Sequence, residues 1–265
     1  MGRMGTALTA EFLSVTEFGG QRISQEQLER ICHRYHWAAN ACVGLDVLEV
    51  ACGSGQGLAI LAKVARNLAA GDYSPEVLAI ARATAPSVPM QVFGAEALPF
   101  EAGSVDRIIL FEALYYVDAA LFFTEARRVL RPGGAILIAT ANKDLYDFTP
   151  SPYTKRYLGA QELQEELTQA GFEVELSGYL DTTHVSMRQR VLRPVKALAS
   201  KLGLIPKSLG GREWMKKIFF GSMTDMPTSL ADTPFDYVPP RAIPGDRPDR
   251  QHKVIYCQAT MSQKG

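Results

Sequence analysis

The stretch VLEVACGSGQG, Val47 to Gly57, constrains the fold more than any other part of the chain. Val47, Leu48 and Val50 read as a buried strand, three glycines follow at alternate positions, and a helix-period segment opens at Leu58. A strand that turns through glycines into a helix is a building unit of an open α/β sheet, and its loop lets backbone approach a ligand closely. A dinucleotide fingerprint would place its third glycine where Leu58 stands, and a P-loop needs a lysine that is missing here. Both phosphate readings weaken. Glu49, inside the strand, suits a cationic ammonium, and Asp72, at the end of the next strand, can accept hydrogen bonds from vicinal ribose hydroxyls. An adenosine-like ligand is implied.

From Leu45 onward, short apolar runs alternate with helix-period segments, the pattern of a parallel sheet flanked by helices. Strands are expected near Val47–Ala51, Leu68–Gly71, Met90–Phe93, Val105–Phe111 and Ala135–Ala139. Helices are expected over Leu58–Arg66, Pro75–Thr84, Ala119–Leu130 and Ala160–Ala170. Ser74 before Pro75 marks a capped helix start, and RPGG, Arg131–Gly134, reads as a helix end and turn. FEVELSGYL and KVIYCQATM alternate as strands. Between them, Met223–Arg250 carries six prolines and is expected to be mostly loop.

With 265 residues, 47% hydrophobic and 21% charged, the chain has room for one large α/β domain with insertions. Lys+Arg and Asp+Glu both number 28, so global charge gives no reason to expect a nucleic-acid partner. Cys32, Cys42, Cys52 and Cys257 show no zinc-type spacing, and no metal is expected. No apolar run approaches the length of a membrane span, no continuous signal-peptide core precedes the first acids, and a cytoplasmic protein is the expectation. MGRMGT fits the loose N-terminal myristoylation pattern.

VLEVACGSGQG, AGDYSPEVLAIAR, AEALPFEAGSVDRIILFEALYYV and RVLRPGGAIL, in this order and spacing, resemble the class I S-adenosylmethionine-dependent methyltransferases. The resemblance runs from about Tyr35 to Leu180 and takes in the final strand. It implies a Rossmann-like α/β fold, a mostly parallel seven-stranded sheet flanked by helices, with a lid-like insertion before the last strand. The expected divisions are a helical N-terminal cap (1–44), a cofactor-binding core (45–180), a basic and proline-rich substrate insertion (181–252), and a last core strand and tail (253–265).

The resemblance further implies S-adenosylmethionine as cofactor. Glu49 and the backbone of Ala51, Cys52, Gly53, Ser54 and Gly55 would surround its methionine part, with Tyr35 approaching the carboxylate. Asp72 would hold the ribose, Tyr73 would lie against the adenine with Ala95 and Glu96 at its edge, and Phe111 would form the floor below the sulfonium. Ala51 stands where the first loop glycine is usual, and Gly94 where many relatives carry an acid.

Methyl transfer from a sulfonium asks the protein mainly for alignment, with a base where the acceptor is a hydroxyl. His184, after the sixth strand, is the first candidate base and His36 the second, drawn from four histidines that also include His33 and His252. Glu112, Tyr115 and Tyr116 follow the fourth strand, where open α/β folds bind ligands, and are candidates for the acceptor pocket. Val185–Gly221 holds nine basic residues and one acid, interleaved with Trp214, Phe219 and Phe220. This is either a solvated helical face or a surface for an anionic or lipid-linked acceptor. The expected function is methylation of a small molecule such as a sugar or secondary metabolite, at oxygen rather than nitrogen or carbon. The alternative is a cofactor-binding regulatory or scaffolding protein without catalysis.

Overall fold

The computed structural model describes residues 16–182 and 223–262. Its elements in chain order are β1 (Arg22–Ser24), α1 (Gln25–Ala41), β2 (Asp46–Val50), α2 (Leu58–Ala62), β3 (Asn67–Asp72), α3 (Pro75–Thr84), β4 (Met90–Val92) and β5 (Val105–Phe111). A 3₁₀ turn (Leu114–Tyr116) leads to α4 (Ala119–Val129), β6 (Leu130–Ala141), α5 (Ala160–Gln169), β7 (Phe172–Asp181), β8 (Met223–Asp225), β9 (Arg241–Ala242) and β10 (His252–Met261).

The sheet runs β4-β3-β2-β5-β6-β10-β7-β9. Pairing is parallel from β4 through β6, and β10 inserts antiparallel between β6 and β7. The sheet therefore has eight strands rather than seven, the addition being the two-residue edge β9, which pairs with Ser177 and Gly178 of β7. Strand β5 shows why both faces are covered. Ile108 and Leu110 pack into one cluster with Phe122 and Phe123 of α4, while Ile109 and Phe111 pack into another with Ile31 and Tyr35 of α1. Ile108 and Ile109 have no exposed surface, so cutting either to alanine would cost about 2–5 kcal/mol.

Local chemistry sets the helix starts. Ser24 accepts a hydrogen bond from the Gln27 amide at 3.1 Å, Ser74 from Val77 at 3.2 Å, and Asp118 from Leu121 at 3.2 Å. α2 stops at Ala62, short of the expected Arg66, because Arg66 is drawn away to Asp46 and Asp106. RPGG is not a free turn: β6 already begins at Leu130 and runs through it, with a register shift opposite Val105 and Arg107 and Gly133 at φ 76°.

The chain order reverses on either side of β2, which places a topological switch point at the carboxyl ends of β2 and β5, where ligands enter folds of this kind. Above it lies the segment from Thr16 to Gln21, paired through β1 with β8, and the stretch that follows β8 returns over α1. His33 anchors that return: its ring nitrogens meet the Tyr256 hydroxyl and the Val238 carbonyl, both at 2.8 Å, and the ring stacks on Tyr179. Burial lowers its pKa to about 4, so it is neutral near pH 7. As expected, 223–250 is mostly loop, with only β8 and β9 as strand. Among the described residues no helix is long and apolar enough to cross a membrane.

Candidate functional site

A cavity of about 510 Å³ opens at the switch point. The loops after β2, β3, β4 and β5 supply its walls, and α1 with Thr16 and Glu17 closes one side. Of the residues singled out in the sequence, Tyr35, Glu49, Ala51, Cys52, Gly53, Ser54, Asp72, Tyr73, Ala95, Glu96, Phe111, Glu112, Tyr115 and Tyr116 all line it. Gly55 does not. It shapes the loop from behind, at φ 77° with Ala81 close against it.

The third glycine of the opening motif has a packing role. A Cβ on Gly57 would collide with the Tyr35 ring, so the loop must be bare there for α1 to settle over it. Tyr35 then donates its hydroxyl to Glu49 Oε1 at 2.7 Å, while Glu49 Oε2 is buried without a partner. Burial raises the Glu49 pKa to about 7, against the lowering effects of the Tyr35 hydrogen bond and the Arg34 charge. Ala51 and Glu112 both hold left-handed backbones, φ 56° and 50°, at the carboxyl ends of β2 and β5. Such conformations in non-glycine residues cost about 1–2 kcal/mol each and collect at functional sites.

Asp72 ties two loops together: Oδ2 accepts from the Gly53 amide and Oδ1 from the Ser74 amide, both at 3.0 Å. Burial raises its pKa, and those two amides oppose the rise. Each oxygen keeps lone-pair capacity for a diol, as a ribose contact requires. Glu96 lines the cavity but its carboxylate is engaged by the Asp118 amide at 2.6 Å and by Lys155 at 3.0 Å.

At the other end, Tyr115 donates to Glu112 Oε2 at 3.1 Å, stacks on Tyr157 with centroids 4.3 Å apart, and meets Tyr116 edge-on. Tyr116 pairs with Ser151 at 2.8 Å. The structure does not bring His36 to the cavity; its ring stacks on Phe235 at 5.4 Å. His184 and the basic run Val185–Gly221 lie outside the described residues.

The sequence reading missed Arg34, Gln56 and Glu17. Arg34 precedes Tyr35 on α1, and adjacent helical positions lie about 100° apart, so both border the cavity. That neighbouring pair was the available signal. Arg34 sits over the rings of Tyr35 and Phe111, at 5.7 and 5.9 Å, and 3.9 Å from Glu17. Among the described residues no cluster of His, Cys, Asp and Glu could hold a metal ion.

Four buried side-chain atoms in the described residues lack hydrogen-bond partners, and three of them, on Arg34, Glu49 and Gln56, belong to residues lining this one cavity. Buried polar groups are otherwise paired, so two donors and one acceptor left open together fit an amino-acid zwitterion. S-adenosylmethionine carries such a group beside a ribose diol, and the residues present fit it.

Residues 48–138 match a family model described as a methyltransferase domain. A protein of Mycolicibacterium smegmatis named a probable S-adenosylmethionine-dependent methyltransferase is 40% identical over 146 residues, 53% of this chain and 57% of its own length. One of the same description from Mycobacterium tuberculosis is 33% identical over 177 residues, 63% of this chain and 65% of its own. The chain thus spans somewhat under two thirds of these relatives. A crystal structure of an S-adenosylmethionine-dependent methyltransferase from Thermotoga maritima shares the fold, with a TM-score of 0.56 at 16% identity, covering 89% of this chain and 92% of that one. The matched segment, residues 48–138, runs from within β2 to within β6 and supplies most of the cavity's lining, so the match to a methyltransferase domain, the sheet order and the switch-point cavity fall on the same part of the chain.

Proposed function

We propose that the protein transfers a methyl group from S-adenosylmethionine to a hydroxyl of a small-molecule acceptor. The observation that carries the cofactor half is the set of open polar atoms on Arg34, Glu49 and Gln56 beside Asp72. When bound, the cofactor supplies an electrophilic methyl on a sulfonium. Glu49 would pair with its ammonium, Asp72 would accept from the ribose hydroxyls, and Tyr73 and Ala95 would border the adenine. Phe111, which lines the same cavity, would form an apolar floor that keeps water from the transfer path.

The acceptor half is supported by Glu112, Tyr115 and Tyr116 on the same cavity. Tyr115 pins the Glu112 carboxylate, which can orient an acceptor hydroxyl in line with the methyl. His184 is proposed as the group that takes the hydroxyl proton. The basic residues of Val185–Gly221 favour an anionic or lipid-linked acceptor over a neutral one. The test is incubation with methyl-labelled cofactor and a panel of phenols, sugars and phosphorylated or lipid-linked alcohols. Label should enter one acceptor class and its transfer should fall at least tenfold in His184→Ala. Binding of cofactor with no transfer to any acceptor would favour a non-catalytic binding protein instead.

A further inference from the structure

We infer that Arg34 and Gln56 form a carboxylate clamp for the amino-acid end of the cofactor, and that Glu17 is the counter-ion Arg34 gives up on loading. The inference rests on the cofactor reading above and adds residues that neither the motifs nor the family match assigns. Arg34 Nε and Gln56 Nε2 are buried and unpartnered, and both residues line the cavity that Glu49 enters from β2. Once ionised, Glu49 offers only acceptors, so it selects the ammonium; Arg34 and Gln56 offer donors, so they select the carboxylate. The two charges of the zwitterion are thereby read by two different elements, β2 and α1, with the glycine loop contributing Gln56.

Glu17 reaches the same place from the N-terminal segment. Its carboxylate lies 3.9 Å from Arg34, a loose ion pair, while Gln27 donates to it at 2.5 Å and Ser54 of the glycine loop donates to its backbone carbonyl at 2.6 Å. Ser54 and Gln27 hold the segment in place, so Arg34 can exchange partners without releasing it. An incoming carboxylate that brings two oxygens to Arg34 displaces a pairing that the Glu17 geometry makes only weakly. Glu17 then opposes loading by competing for Arg34.

Calorimetric titration with S-adenosylhomocysteine and with 5′-methylthioadenosine, which lacks the amino-acid end, separates the possibilities. Arg34→Met should weaken S-adenosylhomocysteine about 30–100-fold and Gln56→Ala about 3–10-fold, with 5′-methylthioadenosine unchanged in both. Unchanged binding of the truncated nucleoside also shows that each variant is folded. Glu17→Gln should tighten S-adenosylhomocysteine about threefold. If Arg34→Met weakens both ligands equally, or neither, the clamp is wrong. If Glu17→Gln weakens binding, Glu17 orients Arg34 and does not compete for it. Should the wild-type protein bind neither nucleoside, the cofactor reading fails and the clamp with it.

Discussion

The two ends of the central sheet treat charge in opposite ways. At the amino ends of β2 and β5, Asp46 and Asp106 face Arg66 and Arg131. Arg131 lies 2.9 Å from both acids, Arg66 lies 2.7 and 3.2 Å from them, and the Asp46 amide donates to Asp106. The hydrogen bonds from Arg66, and then Asn67, hold the Asp46 carboxyl well below its usual range. Every charge there has a partner and water has access. At the carboxyl ends, Arg34, Glu49 and Gln56 keep buried atoms unpaired, and Ala51 and Glu112 hold left-handed backbones. One end closes the sheet; the other leaves buried polar atoms open beside a cavity. An unpaired buried polar atom costs about 1–3 kcal/mol, so three around one cavity are a stability cost that a ligand's polar groups would offset.

Breaking the ligand end should give the largest effect. Asp72→Ala removes the diol acceptor and leaves the Gly53 and Ser74 amides without it, and S-adenosylhomocysteine affinity by calorimetry should fall at least 100-fold. Next comes Glu49. Its raised pKa means that the free protein is largely protonated there below about 7, and the proton must leave before an ammonium can pair. Affinity should therefore drop about tenfold per pH unit below 7 and level off above it, and this slope should vanish in Glu49→Gln. The amino-end cluster should respond far less. Arg131 is about one-third exposed and its ion pairs are screened by water, so Arg131→Ala should move the denaturant midpoint only slightly and leave cofactor affinity unchanged. A large loss of affinity there would erase the contrast between the ends. The smallest effect belongs to Ala51→Gly. Relieving the left-handed strain, less the added freedom of the unfolded chain, should stabilise the protein by about 0.5–1 kcal/mol.

Much of the scaffold was legible because its signals are local. Pro75–Thr84 and Val105–Phe111 fall where the sequence places them, the first through its Ser74–Pro75 start and the second through an apolar run buried on both faces. Boundaries failed where tertiary contacts overrode local pattern: Arg66 leaves its helix for two acids on neighbouring strands, and RPGG is drawn into β6. The residues that the ordered motifs assign to a cofactor, all but Gly55, line one cavity. Arg34, Gln56 and Glu17 could not be read in that way. Their placement at the cavity depends on Gly57 admitting Tyr35 and on the Ser54 hydroxyl holding the Glu17 carbonyl, which are contacts between distant parts of the chain. His36 had the right helix and the wrong face, turned toward Phe235.

The central claim is that the open acceptor on Glu49 awaits a cation. It is tested most directly by titrating wild-type protein with S-adenosylhomocysteine at pH 6, in two buffers of different ionisation enthalpy. Ionising a carboxyl whose pKa in the free protein is about 7 should release close to one proton per ligand bound. Binding with no proton released, or with a proton taken up, would contradict the pairing of Glu49 with the ligand's ammonium.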